Sequence, residues 1–202
     1  MASSALQLLG FLISLVGVAA NTAAIFMVEW RKEAQGKFRI YEGLWMTCSG
    51  TERTTCEIHQ SVLKLSTEIQ ATRAVMLVSL FLSAVAVMVS TVGMKCTRFM
   101  DSMPRSKSMV ALAGGIMFMV SGLLVIAITS WYVKVIVQTF KESHRLQSRE
   151  FGNAVFVSWA GGLLTMIGGV FLSCQRCCGG RSSESLTSNE LLHATKPKSN
   201  YV

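Results

Sequence analysis

Two thiols set the first chemical question. Cys48 and Cys56 are separated by seven residues in the stretch YEGLWMTCSGTERTTCEIHQ (residues 41–60), and such a pair oxidises to a disulfide in an extracellular compartment. His59 follows closely, yet no second His or Cys stands at metal-ligand spacing from it, so a surface or interfacial imidazole is expected rather than a metal ligand. No Ser/His/Asp set, Gly-rich phosphate loop or pair of catalytic carboxylates can be assembled along the chain. Enzyme chemistry, a cofactor and a nucleic-acid module are therefore not expected, and the net charge of +8 is scattered rather than gathered into a basic patch. The other four cysteines, Cys96, Cys174, Cys177 and Cys178, lie among basic residues at the ends of apolar segments. That setting suits reversible S-acylation, with plain interfacial thiols as the alternative.

Positioning these groups falls to four long apolar blocks. Residues 6–28, 74–94, 109–133 and 153–174 contain no charged side chain. Each supplies the roughly 20 residues that cross a hydrocarbon core about 30 Å thick. The domain reading is a first span to residue 28, a loop over 29–73 and a second span over 74–94. A short loop over 95–108, a third span over 109–130, a second large-side connection over 131–152, a fourth span over 153–174 and a polar tail over 175–202 follow. The first block is read as a span rather than a cleaved leader, because its n-region lacks a basic residue and its apolar run is too long.

Orientation comes from the thiols. Eight Lys and Arg lie on the side of the termini and eleven, counting Arg73, on the other, so charge counting does not place the termini inside. The oxidisable pair belongs outside the cell and the acylation candidates belong in the cytosol, which puts both termini in the cytosol. No Asp, Glu, Lys, Arg or His falls inside a block, which argues against a proton-coupled transporter or a pore through the bundle. Gly115 with Gly122 and Gly161 with Gly168, each seven apart, should let helix backbones approach closely within one bundle.

The third block keeps a helical period beyond the membrane. Val133, Ile136, Val137 and Phe140 fall on one side and Lys134, Gln138 and Lys141 on the other. One helix over 109–140 would run about 48 Å at 1.5 Å per residue and offer an apolar stripe to the outer loop. In that loop KFRIYEGLWMTC alternates as strands do, and Ser49–Arg53 has turn composition, so a hairpin clipped by Cys48–Cys56 is the economical arrangement. Val62, Leu65 and Ile69 predict a short amphipathic helix leading to Arg73 at the outer interface.

Trp30, Gly43-Leu44-Trp45, Cys48 and Cys56 together resemble the W…GLW…C…C signature of the claudin family. LQLLGF, IQATRAVM, GMKCTR, SWY, EFGNAVFVSWAGG and a terminal Tyr201-Val202 extend the resemblance over nearly the whole chain. It implies an α+β membrane protein: a left-handed four-helix transmembrane bundle topped by a small extracellular antiparallel β-sheet of five strands, one of them from the second loop. Trp30, Gly43, Leu44, Trp45 and Arg73 are then folding determinants at the membrane surface. The family polymerises side by side into tight-junction strands and meets strands of the next cell, so itself and other claudins are the implied partners. Val62 matches the residue that enters a neighbour's pocket. Of the two aromatics that build the pocket only Phe140 remains, with Lys141 in place of the second. The second loop lacks the family's Pro-containing turn, and both loops are short. Glu57 occupies a position that is acidic in several cation-channel claudins, and Arg53 stands on the same hairpin. With six acidic and six basic residues over 29–70, a general barrier is expected before a channel.

The tail, RSSESLTSNELLHATKPKSNYV, is polar and predicts disorder. Tyr201 and Val202 at its end fit the edge-strand capture used by PDZ scaffold proteins. The competing class is a tetraspan auxiliary subunit of a channel, or a myelin-type protein, that forms no strands.

Overall fold

The computed structural model describes residues 2–35, 38–51, 55–59, 66–94, 104–142 and 148–194. Four helices carry the spans: α1 (Ala2–Phe26), α2 (Thr67–Gly93), α3 (Pro104–Glu142) and α4 (Asn153–Ala194). Between α1 and α2 lie β1 (Arg31–Gln35), β2 (Phe38–Glu42), β3 (Met46–Gly50) and β4 (Thr55–Ile58), while β5 (Ser148–Phe151) lies between α3 and α4. The stretches Ala5–Phe26, Thr67–Gly93, Met109–Gln138 and Asn153–Cys174 are long and apolar enough to cross a membrane.

Small residues decide how the helices meet. α4 packs on α1 along one side and on α3 along another, and α3 in turn packs on α2; α1 and α2 meet far less. A Cβ placed on Gly122 of α3 would lie 2.6 Å from the Gly162 carbonyl oxygen of α4, and one on Gly169 would lie 2.7 Å from that of Gly115. One residue back on α4, Gly161 and Gly168 face α1 instead. There a Cβ on Gly17 would come within 2.7 Å of the Gly161 carbonyl and one on Gly168 within 2.5 Å of the Gly10 carbonyl. Glycines seven apart recur on one helix face, so two adjacent heptad rows on α4 serve two neighbours. Both backbones can then approach without side chains between them.

Hydroxyl groups fill the remaining contacts. Ser121 of α3 donates to the Ser79 carbonyl at 2.9 Å and lies 2.6 Å from the Ser83 hydroxyl, both on α2. Thr129 and Ser158 bridge α3 to α4 at 2.9 Å. In hydrocarbon such groups have no water to return to, so they pair across helices. Phe11, Ala86, Phe118 and Leu172 form an apolar cluster toward one end, and a second cluster containing Trp30, Leu44, Ile69, Tyr132 and Ile136 forms under the sheet.

The sheet is wholly antiparallel with strand order β4-β3-β2-β1-β5. β1 through β4 form a meander, and β5 adds to the free edge of β1 with Arg31 opposite Phe151 and Lys32 opposite Glu150. Beyond β5 the ladder runs on into α4: Gly152 N–H donates to the Trp30 carbonyl at 3.2 Å and Ala154 N–H to the Glu29 carbonyl at 3.1 Å. The sheet is thus bonded directly to the start of the fourth span.

Several local expectations are corrected. Ser49 and Gly50 belong to β3, opposite Ile40 and Arg39, because the ladder carries the strand into a stretch whose composition reads as turn. Leu44 and Trp45 lie in the connection rather than in an alternating strand, since Gly43 N–H donates to the Met46 carbonyl at 3.0 Å and reverses the chain there. Ile69 and Arg73 sit on α2 itself, which begins at Thr67 and runs unbroken into the span. The stripe on α3 is turned from the expected one: Tyr132 and Ile136 are buried, Val133 packs beside them, and Val137 is exposed. A spacing of four keeps 132 and 136 on one face, while 137 lies a further 100° round the helix. Helix α4 itself extends past the fourth span to Ala194. No proline interrupts it before Pro197, and Glu190-Leu191-Leu192 are good helix formers.

Candidate functional site

The site is the sheet and the joint that holds it on the bundle. Its foot is built around Trp30, which has no exposed surface. The indole N–H donates to the Ala24 carbonyl of α1 at 2.8 Å, and the ring meets Tyr132 of α3 edge-on, with centroids 5.6 Å apart at 87°. One side chain therefore joins the last turn of α1, the start of β1 and the protruding part of α3.

Gly43, Leu44 and Trp45 close the second side of the joint. A Cβ on Gly43 would lie 2.7 Å from the Val28 Cα, so only glycine lets the turn rest against the chain leaving α1. Leu44 is buried beneath it at 1% exposure. Arg73 of α2 donates its Nε–H to the Leu44 carbonyl, and its guanidinium carbon lies 4.8 Å from the Trp45 ring centroid. A cation over an indole face at this range is attracted by the ring quadrupole. Trp30, the Gly43–Trp45 turn and Arg73 are thus brought together around one joint.

Cys48 and Cys56 stand directly opposite in β3 and β4 and form a disulfide, with Cα atoms 4.0 Å apart. Cys48 is buried and Cys56 exposed. The staple holds β4, the outermost strand and fully exposed, to the rest of the sheet.

Charge on the sheet is largely matched. Arg31 bridges Glu33 at 3.5 Å and Glu42 at 3.2 Å, and Lys32 bridges Glu29 at 3.1 Å. Register places Arg31, Glu42, Thr47 and Glu57 in one row across β1, β2, β3 and β4. Glu57 ends that row on the edge strand, exposed, and is the one sheet carboxylate without an ion pair among the described side chains. Among the described residues no group of His, Cys, Asp and Glu is arranged to hold a metal ion.

Other expected positions are placed less fully. Phe140 and Lys141 lie in the last turn of α3, with their side chains outside the described set. Cys174 is a free, exposed thiol at the end of the fourth span, and Cys177 and Cys178 follow it on α4, their side chains likewise not described. Arg53, Val62, Cys96, Tyr201 and Val202 lie outside the described residues. Tyr132 and Gly152 belong to the joint, and Arg31 to the charge row of the sheet; all three escape a reading of the sequence by period or spacing. Tyr132 lies within an apolar run, and Gly152 shows its purpose only where a Cβ would strike the Glu29 carbonyl.

Four spans carrying a stapled antiparallel sheet at one end define a tetraspan membrane protein with a rigid exposed head. Comparison narrows the class. Residues 4–172 match the model of the PMP-22/EMP/MP20/Claudin family. The chain is 42% identical over 187 residues to Claudin-19 of Mus musculus, covering 86% of this chain and 82% of that protein. It is 40% identical over 195 residues to Claudin-7 of Homo sapiens, covering 92% of each, and 38% identical over 184 residues to Claudin-1 of Mus musculus, covering 86% of this chain and 87% of that protein. The chain belongs to the PMP-22/EMP/MP20/Claudin family and, within it, to the claudins, multi-pass proteins of tight junctions.

Proposed function

We propose that the chain is a structural component of tight-junction strands, polymerising side by side in the membrane and contacting the adjacent cell to control paracellular permeability. A barrier role is favoured over an ion-selective pore. The observation that carries this preference is the matching of charge on the sheet. Arg31 occupies the carboxylates of Glu33 and Glu42, and Lys32 that of Glu29, leaving Glu57 as the sheet carboxylate without an ion pair among the described side chains. A single exposed carboxylate acts over a range limited by screening to about 8 Å at physiological salt.

Both termini are assigned to the cytosol, which sets the disulfide-bearing sheet in the oxidising intercellular space. In this orientation Cys174, with Cys96, Cys177 and Cys178, faces the acylating enzymes of the cytosol. Tyr201 and Val202 are offered to PDZ scaffold proteins. Val62, Phe140 and Lys141 are assigned to contacts between neighbouring claudins, Trp30, Gly43–Trp45 and Arg73 to holding the sheet, and Arg53 and Glu57 to its paracellular charge.

Freeze-fracture microscopy of fibroblasts that lack tight junctions, expressing this chain alone, tests the reading. Continuous strands at cell contacts are expected. Surface-expressed protein without strands would favour the second reading, a tetraspan auxiliary subunit of a channel or a myelin-type protein, to which Lys141 in place of the usual aromatic lends some weight.

A further inference from the structure

The foot of the β3–β4 hairpin gathers nitrogen donors that the protein does not use. Trp45 carries Arg73 over its ring, and its carbonyl accepts the backbone N–H of His59 at 3.2 Å, so the three residues are immediate neighbours. Arg73 Nη2, Trp45 Nε1 and His59 Nε2 are each withdrawn from water and have no hydrogen-bond partner among the described residues. No carboxylate pairs with Arg73 among those residues either. Polar atoms in such positions normally find a partner, and three unpartnered nitrogens on adjoining residues, one of them on a guanidinium whose Nε already donates to the Leu44 carbonyl, are unusual.

Depth identifies the acceptor. Arg73 is the last charged residue before the charge-free block over 74–94, which sets its guanidinium at the level of the lipid headgroups. The abundant acceptors there are phosphodiester oxygens, whose negative charge suits a guanidinium and whose separate oxygens suit several donors at once. All three residues are half-buried rather than enclosed in the core.

We propose that Trp45, His59 and Arg73 form a phosphate-binding site that takes the headgroup of a phospholipid from the leaflet on the sheet's side. The bound phosphodiester accepts from the guanidinium, from the indole N–H and from the His59 Nε2–H tautomer. It thereby ties the stapled hairpin to the membrane surface by a contact that the chain alone does not supply.

The test uses the full-length chain in a phosphate-free maltoside detergent, titrated with phosphatidylcholine, with diacylglycerol of the same acyl chains, or with inorganic phosphate. Native mass spectrometry reads the bound molecule and thermal unfolding reads stabilisation. One phosphatidylcholine should be retained with a preference over diacylglycerol of about a hundredfold or more, since three donors meet one charged acceptor. The double variant Trp45→Phe/His59→Phe keeps both rings and the Arg73–Leu44 bond but removes two donors, and should lower that preference about tenfold or more while the Arg73 guanidinium keeps a remainder. Equal retention of both lipids by the unaltered chain would overturn the site without recourse to any variant. So would a preference left unchanged by the double substitution. Displacement of the lipid by millimolar inorganic phosphate, with the same rise in unfolding temperature, would overturn the headgroup assignment in favour of a free anion.

Discussion

Trp30 closes the end of α1 from outside the helix. Its indole donates at 2.8 Å to the Ala24 carbonyl, one of the last-turn carbonyls that a helix leaves short of internal partners. The same ring has none of its surface exposed and packs edge-on against Tyr132. Trp30→Ala should therefore lose both the burial and the bond, at a cost of about 3–5 kcal/mol. Trp30→Phe should keep most of the packing and lose about 1 kcal/mol with the bond. Thermal unfolding in detergent and surface biotinylation of expressing cells separate the two: the alanine variant should be retained inside the cell and the phenylalanine variant should reach the surface.

Gly122 tests the seam between α3 and α4. With the Gly162 carbonyl 2.6 Å and the Met166 amide nitrogen 3.0 Å from a Cβ placed there, Gly122→Val must push backbone rather than side chain. Overpacking of this kind costs about 1–3 kcal/mol. Leu123→Ala, one position along on a lipid-facing surface, should change the unfolding temperature far less.

Removing the staple should loosen the sheet without opening the bundle. Cys48→Ser/Cys56→Ser releases an eight-residue separation, worth somewhat less than the ~3 kcal/mol associated with a 15-residue loop. Hydrogen exchange should quicken at the amides of β3 and β4. Protection along the Gly115–Gly169 and Gly10–Gly168 contacts should be unchanged, because no part of those seams touches the disulfide.

Glu57→Gln addresses the electrostatics of the sheet. In monolayers carrying the chain, dilution potentials should give the same sodium-to-chloride permeability ratio before and after the change, with high resistance in both. A fall in cation preference on substitution would make Glu57 a pore determinant and refute the barrier reading.

The spans and the hairpin are legible in the residues because each leaves a local mark. A charge-free run of membrane length is seldom anything but a span, and two cysteines flanking a turn in an alternating stretch pair most simply across it. The strands β1 and β5 leave no such mark. RKEAQ and SREF have no apolar alternation: β1 is a strand through its pairing with β2 and β5, and β5 pairs with β1 alone, Arg31 with Phe151, across more than a hundred residues of chain. Their existence is implied by the family resemblance, not by their own composition.

What the sequence determined by itself was the membrane class, the number of spans, the presence of close helix contacts and the disulfide, since all follow from composition and spacing along the chain. Only the tertiary structure decided which glycine row of α4 meets which neighbour, which face of α3 turns inward, and that Arg73 reaches back 29 residues to the Leu44 carbonyl. The reason is physical. Burial and hydrogen bonding between distant segments depend on the rotation and register of whole helices, and those are set jointly by every contact in the bundle rather than by the residues on either side of any one of them.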